Sequence, residues 1–82
     1  SKNGKQIAYS WWKPYHTYDL LLVDVDRPSP RLLYRQKGEE VFPAAWLSDE
    51  ELIVTIYNKK TKIAQICSFS ILDETMHVLI SF

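Results

Sequence analysis

The sequence predicts an all-β fold made of repeated antiparallel meanders, and two observations carry that prediction. The first is self-similarity at an offset of 46 residues: Ile7 falls on Ile53, Lys13 on Lys59, Leu20 on Ile66, Val23 on Phe69, Val25 on Ile71, Leu32 on Val78 and Leu33 on Leu79, with no gap. The second is a series of seven short β-like runs divided by turn chemistry, in a chain where no segment holds apolar residues at helical spacing.

The first run covers residues 5–12, after a turn containing Asn3 and Gly4. Alternation places Ile7, Tyr9 and Trp11 on one face and Ala8, Ser10 and Trp12 on the other, and apolar groups on both sides predict a sheet covered on both faces. Residues 19–26 follow, and the unbroken stretch Leu20, Leu21, Leu22 and Val23 marks a central strand. Arg27, Pro28, Ser29 and Pro30 break it, and residues 31–35 form a short outer strand with charges at its ends. A polar connector over 36–40 leads to residues 41–46, where Pro43 requires an edge strand or an irregularity because proline cannot donate to a ladder. The turn at Ser48, Asp49 and Glu50 introduces residues 52–57. A basic hairpin loop over 58–62 precedes the second central strand, 63–71. Asp73, Glu74 and Thr75 then turn the chain into the last strand, 77–82.

Composition narrows the possible roles. A chain of 82 residues makes at most one small domain, and such a chain buries only about 60% of the surface it exposes unfolded. The 46% hydrophobic content is that of a globular segment, and no apolar run approaches the roughly 20 residues of a membrane helix. Ten basic and ten acidic residues cancel, which argues against nucleic acid as a partner. Cys67 is the only cysteine and lies in an apolar strand, so it reads as a small core residue. No basic segment followed by an apolar stretch opens the chain, so any targeting segment is expected upstream.

Self-similarity at a period of about 40 to 50 residues, with several strands per unit, is the signature of β-propeller blades. Residues 1–36 read as three strands of one four-stranded blade and residues 37–82 as one complete blade. Two blades cannot close a ring, so further blades or self-association are expected to cover their faces.

The residues resemble the TolB-like or WD40-like propeller repeat. Ser1, Lys2, Asn3, Gly4, Lys5, Gln6, Ile7, Ala8 and Tyr9 look like its turn and second strand, and Asp19 through Asp26 like its third. Pro30, Arg31, Leu32 and Leu33 look like the fourth, while Pro43, Ala44, Ala45 and Trp46 match the innermost strand of the next copy. The second copy departs from the pattern: Ser48, Asp49 and Glu50 lack the turn glycine, and Ser68, Phe69 and Ser70 replace the usual valine and aspartate. The resemblance implies a non-catalytic scaffold that presents loops to a protein partner, in the periplasm or cell envelope. Its alternatives are the gating propeller of a prolyl-oligopeptidase-like serine peptidase and a glycan-binding propeller.

Among individual residues, the aromatic loop is the leading binding candidate. Trp11, Trp12, Tyr15, His16 and Tyr18 crowd around Lys13 and Pro14, and aromatics beside a cation suit interaction hot spots and carbohydrate stacking. Trp11 and Tyr18 are assigned to packing; Trp12, Tyr15 and His16 are the binding candidates, with Lys59 and Lys60 on the neighbouring hairpin loop. Meander connectivity puts the loops 13–17, 36–40 and 58–62 at one end and the remaining turns at the other. Trp46, Gly4 and Pro43 are read as structural. No metal site or cofactor is expected: His16 and His77 have no paired ligand spacing, and Asp24 and Asp26 read as solvated or turn-capping carboxylates. No serine sits in a glycine-flanked nucleophile elbow and the two glycines are too few for a phosphate loop, so no catalytic residue is assigned.

Overall fold

The computed structural model describes residues 4–13 and 17–82, which form seven strands and no helix. In chain order these are β1 (Gln6–Lys13), β2 (Thr17–Asp24), β3 (Arg27–Arg35), β4 (Glu39–Trp46), β5 (Glu51–Asn58), β6 (Ile63–Ser70) and β7 (Thr75–Ser81). They make two antiparallel meanders, a three-stranded sheet ordered β1-β2-β3 and a four-stranded sheet ordered β4-β5-β6-β7. No barrel closes.

The strand boundaries correct the sequence reading at several places: β4 begins at Glu39, inside the expected connector, and β7 at Thr75, inside the expected turn, because both segments pair in the ladder. Strand β3 begins at Arg27, so Arg27, Pro28, Ser29 and Pro30 do not break the chain but extend the strand. An edge strand allows this, because a proline there need donate to nobody on its open side. The ladder nevertheless slips between Leu22 and Asp24. Strand β2 ends at Asp24, and Asp26 lies in the turn, where its N–H donates to Asp24 Oδ1 at 2.9 Å. Asp24 and Asp26 therefore do not share a strand face; Asp24 caps the turn. Pro43 lies on edge strand β4, with a register shift between Pro43 and Ala45, as proline chemistry requires.

The repeat is written into the ladders. Asp19 faces Arg35 and Leu20 faces Tyr34 in the first sheet, and Gln65 faces Ser81 and Ile66 faces Ile80 in the second. The register then slips at matching places, between Leu20 and Leu21 and between Ile66 and Cys67. Beyond the slip Leu21 pairs with Leu32 and Cys67 with Val78, so Leu33 and Leu79 are the extra residues of two equivalent β-bulges.

The ungapped offset fails on the other side of each central strand. Val23 pairs with Ile7, while Phe69 pairs with Leu52, so Ile7 corresponds to Leu52 and not to Ile53. Lys13 correspondingly matches Asn58 and not Lys59. The second hairpin has one more residue between its strands, and it closes with Lys62 N–H donating to the Asn58 carbonyl at 2.8 Å and a left-handed Lys62, φ 61°.

Backbone hydrogen bonds identify which faces correspond. The Val25 N–H donates to the Lys5 carbonyl at 2.8 Å, and the Ile71 N–H to the Glu50 carbonyl at 2.9 Å. For an L-residue in a strand of given direction, the side toward which the N–H points fixes the face its side chain takes. Leu21 and Val23 are thus the counterparts of Cys67 and Phe69, and Leu20 and Leu22 those of Ile66 and Ser68. Burial runs the opposite way in the two sheets: Leu20 and Leu22 are buried in the first, Cys67 and Phe69 in the second. The sheets pack unlike face to unlike face.

That seam is the core. Leu20, Leu22 and Leu33 meet Val41, Leu52, Val54, Ile56, Cys67, Phe69 and Ile71 in one cluster. Trp46 packs against it half-buried. The first sheet is not covered on both faces within this chain: Ile7 and Trp11 remain 53% and 57% exposed. Gly4 and Gly38 turn with φ of 73° and 83°, a region that costs glycine nothing.

Candidate functional site

Meander topology brings the connections β1 to β2, β3 to β4 and β5 to β6 to one end of the molecule. At that end Lys59 is held by its backbone, whose N–H donates to the Gly38 carbonyl at 2.9 Å. Its ammonium lies 3.5 Å from Glu40 Oε2 and 5.5 Å from the centre of the Tyr18 ring. Tyr18 in turn tilts against Phe42, with ring centres 5.3 Å apart at 59°. Strands from both sheets therefore build one aromatic rim around a lysine, and a cation over an aromatic face with a carboxylate beside it has its position fixed by both.

Trp12 pairs with Tyr18 across β1 and β2, so the two side chains share a face, and Trp12 is 54% exposed beside the cluster. Lys60 is exposed, its backbone N–H donating to Asn58 Oδ1 at 3.0 Å. Trp12, Lys59 and Lys60 are thus brought to the same end, while Tyr15 and His16 lie outside the described residues. His77 is exposed on β7. Among the described residues, no group of three or more histidine, cysteine, aspartate or glutamate side chains could hold a metal ion. No helix of the described residues is long and apolar enough to cross a membrane.

Three polar features were not foreseen. Asp19, only 1% exposed, accepts two hydrogen bonds of 2.7 Å from the Arg35 guanidinium across β2 and β3. This hydrogen-bonded carboxylate, and its charge, raise the guanidinium pKa above its ordinary value. The signal was present: an aspartate opening an apolar run and an arginine closing the next strand meet in any tight meander. The Tyr34 hydroxyl donates to Glu39 Oε1 at 2.6 Å, tying the last strand of one sheet to the first of the next. Burial, then the bond and charge of Glu39, push that hydroxyl above the usual tyrosine range. At the opposite end Arg31 reaches across the seam, donating to the Ile71 carbonyl at 3.1 Å and lying 3.3 Å from Glu74.

A depression of about 390 Å³ opens on the uncovered face of the first sheet, between Tyr9, Trp11, Leu21 and Leu32, with the Asp19–Arg35 pair beside them. Cys67 is fully buried in the core cluster, and burial followed by the charge of Glu39 raises its thiol pKa. No protein-family model matches this chain, and no curated protein or solved structure matches it either.

Proposed function

We propose that this chain is a non-catalytic β-propeller segment, TolB-like in kind, that serves as a protein-interaction scaffold in the periplasm or cell envelope. The observation that carries the reading is the equivalent bulge at Leu33 and Leu79 in two meanders that bury opposite faces. Stacked, twisted meanders of this kind are the units of propellers. The working surface is the rim of Trp12, Tyr18, Lys59 and Lys60, since exposed aromatics beside lysines on loops supported by rigid strands suit protein recognition.

The test compares capture of envelope proteins by the unaltered chain, by a Trp12→Ala, Lys60→Ala variant and by a variant altered at the far end, Ser29→Ala with Glu74→Ala. A partner retained by the far-end variant and lost by the rim variant supports the proposal. Loss only at the far end assigns the wrong surface, and equal retention by all three removes the rim from the function.

A further inference from the structure

We propose that the two uncovered sheet faces are halves of one heterologous interface, so that a second copy of this chain docks head to tail on the first. This rests on the repeat reading given above and names the partner that reading leaves open. The intramolecular seam supplies the template. In it, the face carrying Leu20, Leu33 and Tyr34 meets the face carrying Cys67, Phe69 and Ile71. The counterparts of the first trio are Ile66, Leu79 and Ile80, which lie on the uncovered face of the second sheet. The counterparts of the second are Leu21, Val23 and Val25, on the uncovered face of the first.

All six counterparts are apolar. Leu79 and Ile80 are 55% and 50% exposed, where Leu33 is 8% exposed in its seam. A soluble monomer has no use for two such patches. Covering the first sheet would not leave the Asp19 carboxylate unpaired, because it is already bonded twice to Arg35. The pairing is directional: a face with the bulge meets a face without it, so two copies of either face do not match each other. Heterologous contacts of this kind make rings when the rotation closes and open chains when it does not. Between copies, as within one, a three-stranded face meets a four-stranded face. The sheets of one copy are joined covalently through the β3 to β4 connection and two copies are not, so association depends on concentration.

The experiment is light scattering and sedimentation of the full chain from micromolar to near-millimolar concentration, with two single variants. Leu79→Lys blocks the second sheet's face, and Leu32→Lys blocks the first sheet's face on an edge strand, both at exposed positions. Far-UV circular dichroism and the unfolding midpoint verify that both fold. The expected result is assembly of the unaltered chain beyond the dimer, each variant alone at monomer mass, and an equimolar mixture of the two at twice that mass and no more. A chain that stays monomeric throughout overturns the proposal. So do variants that each still dimerise alone, which is the mark of a like-with-like contact, and so does a different protein that binds the Leu32 face more tightly than this chain does. The repeat reading fails separately: cross-strand nuclear Overhauser contacts lacking the bulges at Leu33 and Leu79 would remove it, whatever the mass.

Discussion

Asp19 and Arg35 face each other across β2 and β3 and are joined by two parallel hydrogen bonds of 2.7 Å, with the carboxylate almost wholly out of water. The guanidinium side is 44% exposed, so the pair is anchored at one end and wetted at the other. Removing the partner of a buried charge costs more than the pair contributes, because the remaining charge stays desolvated.

Arg35→Ala is therefore expected to lower stability, since the Asp19 carboxylate stays desolvated without its partner, though by less than for a wholly buried pair because water reaches the site. Replacing both residues by leucine should recover most of that loss. Urea unfolding of the single and double variants reads it, and an additive double variant would mean the two residues act independently.

Leu20 and Ile66 are counterparts with different surroundings, the first fully buried and the second half-buried. Leu20→Ala should cost about 2–5 kcal/mol and Ile66→Ala distinctly less in the monomer. Equal losses in dilute solution would mean that Ile66 is covered by something within the chain.

Trp46 packs against the core cluster but is only half-buried. Trp46→Ala should destabilise by roughly 1–3 kcal/mol, less than truncation of a fully enclosed tryptophan. Denaturant unfolding measures it, and an unchanged midpoint would show that Trp46 does not support the fold.

Asp73 accepts hydrogen bonds from the Thr75 hydroxyl at 2.7 Å and the Thr75 N–H at 3.3 Å. The Thr75 hydroxyl, then Ser70, hold its pKa below the ordinary 3.8. The folded chain thus binds this proton less readily than the unfolded one. Its contribution is present above the unfolded value and is lost as pH falls through the lower, folded value. Asp73→Asn should flatten the acid side of the stability profile, measured by urea midpoints between about pH 2 and 5. An unchanged slope would show that this turn is not pH-sensitive.

Gly38 adopts φ 83° and nothing lies within 4 Å of a Cβ built there, so backbone strain alone opposes a side chain. Gly38→Ala is expected to cost about 1 kcal/mol, and Gly38→Asn less, since asparagine visits the left-handed region more readily. Thermal unfolding distinguishes the two, and a neutral alanine variant would mean that the turn relaxes to another conformation.

The fold class was legible because burial in a meander is a local pattern: Leu20 to Val23 could only be a central strand, and Pro43 could only sit at an edge or irregularity. The offset was also legible, but its uniformity was not. A hairpin loop longer by one residue shifts the β1 and β5 correspondence without disturbing β2 and β6. Arg27 to Pro30 misled for a related reason, since proline punctuates a chain only where its missing donor would be needed. The site was half legible. Aromatic and lysine content announced the rim, but the placing of Lys59 over Tyr18 depends on how two sheets meet. Trp11 was assigned to packing, and it lies on a face that no other strand of the described residues covers.

The matching bulges give the two sheets a common contour. A bulge sharpens local twist and turns two neighbouring side chains to one side, so it gives the sheet its contour. With Tyr34 beside Leu33 and Ile80 beside Leu79, both sheets are cut to the same pattern. The contour at Leu33 already fits the face of Cys67 and Phe69, and Leu79 carries the same contour on the exposed side of the second sheet.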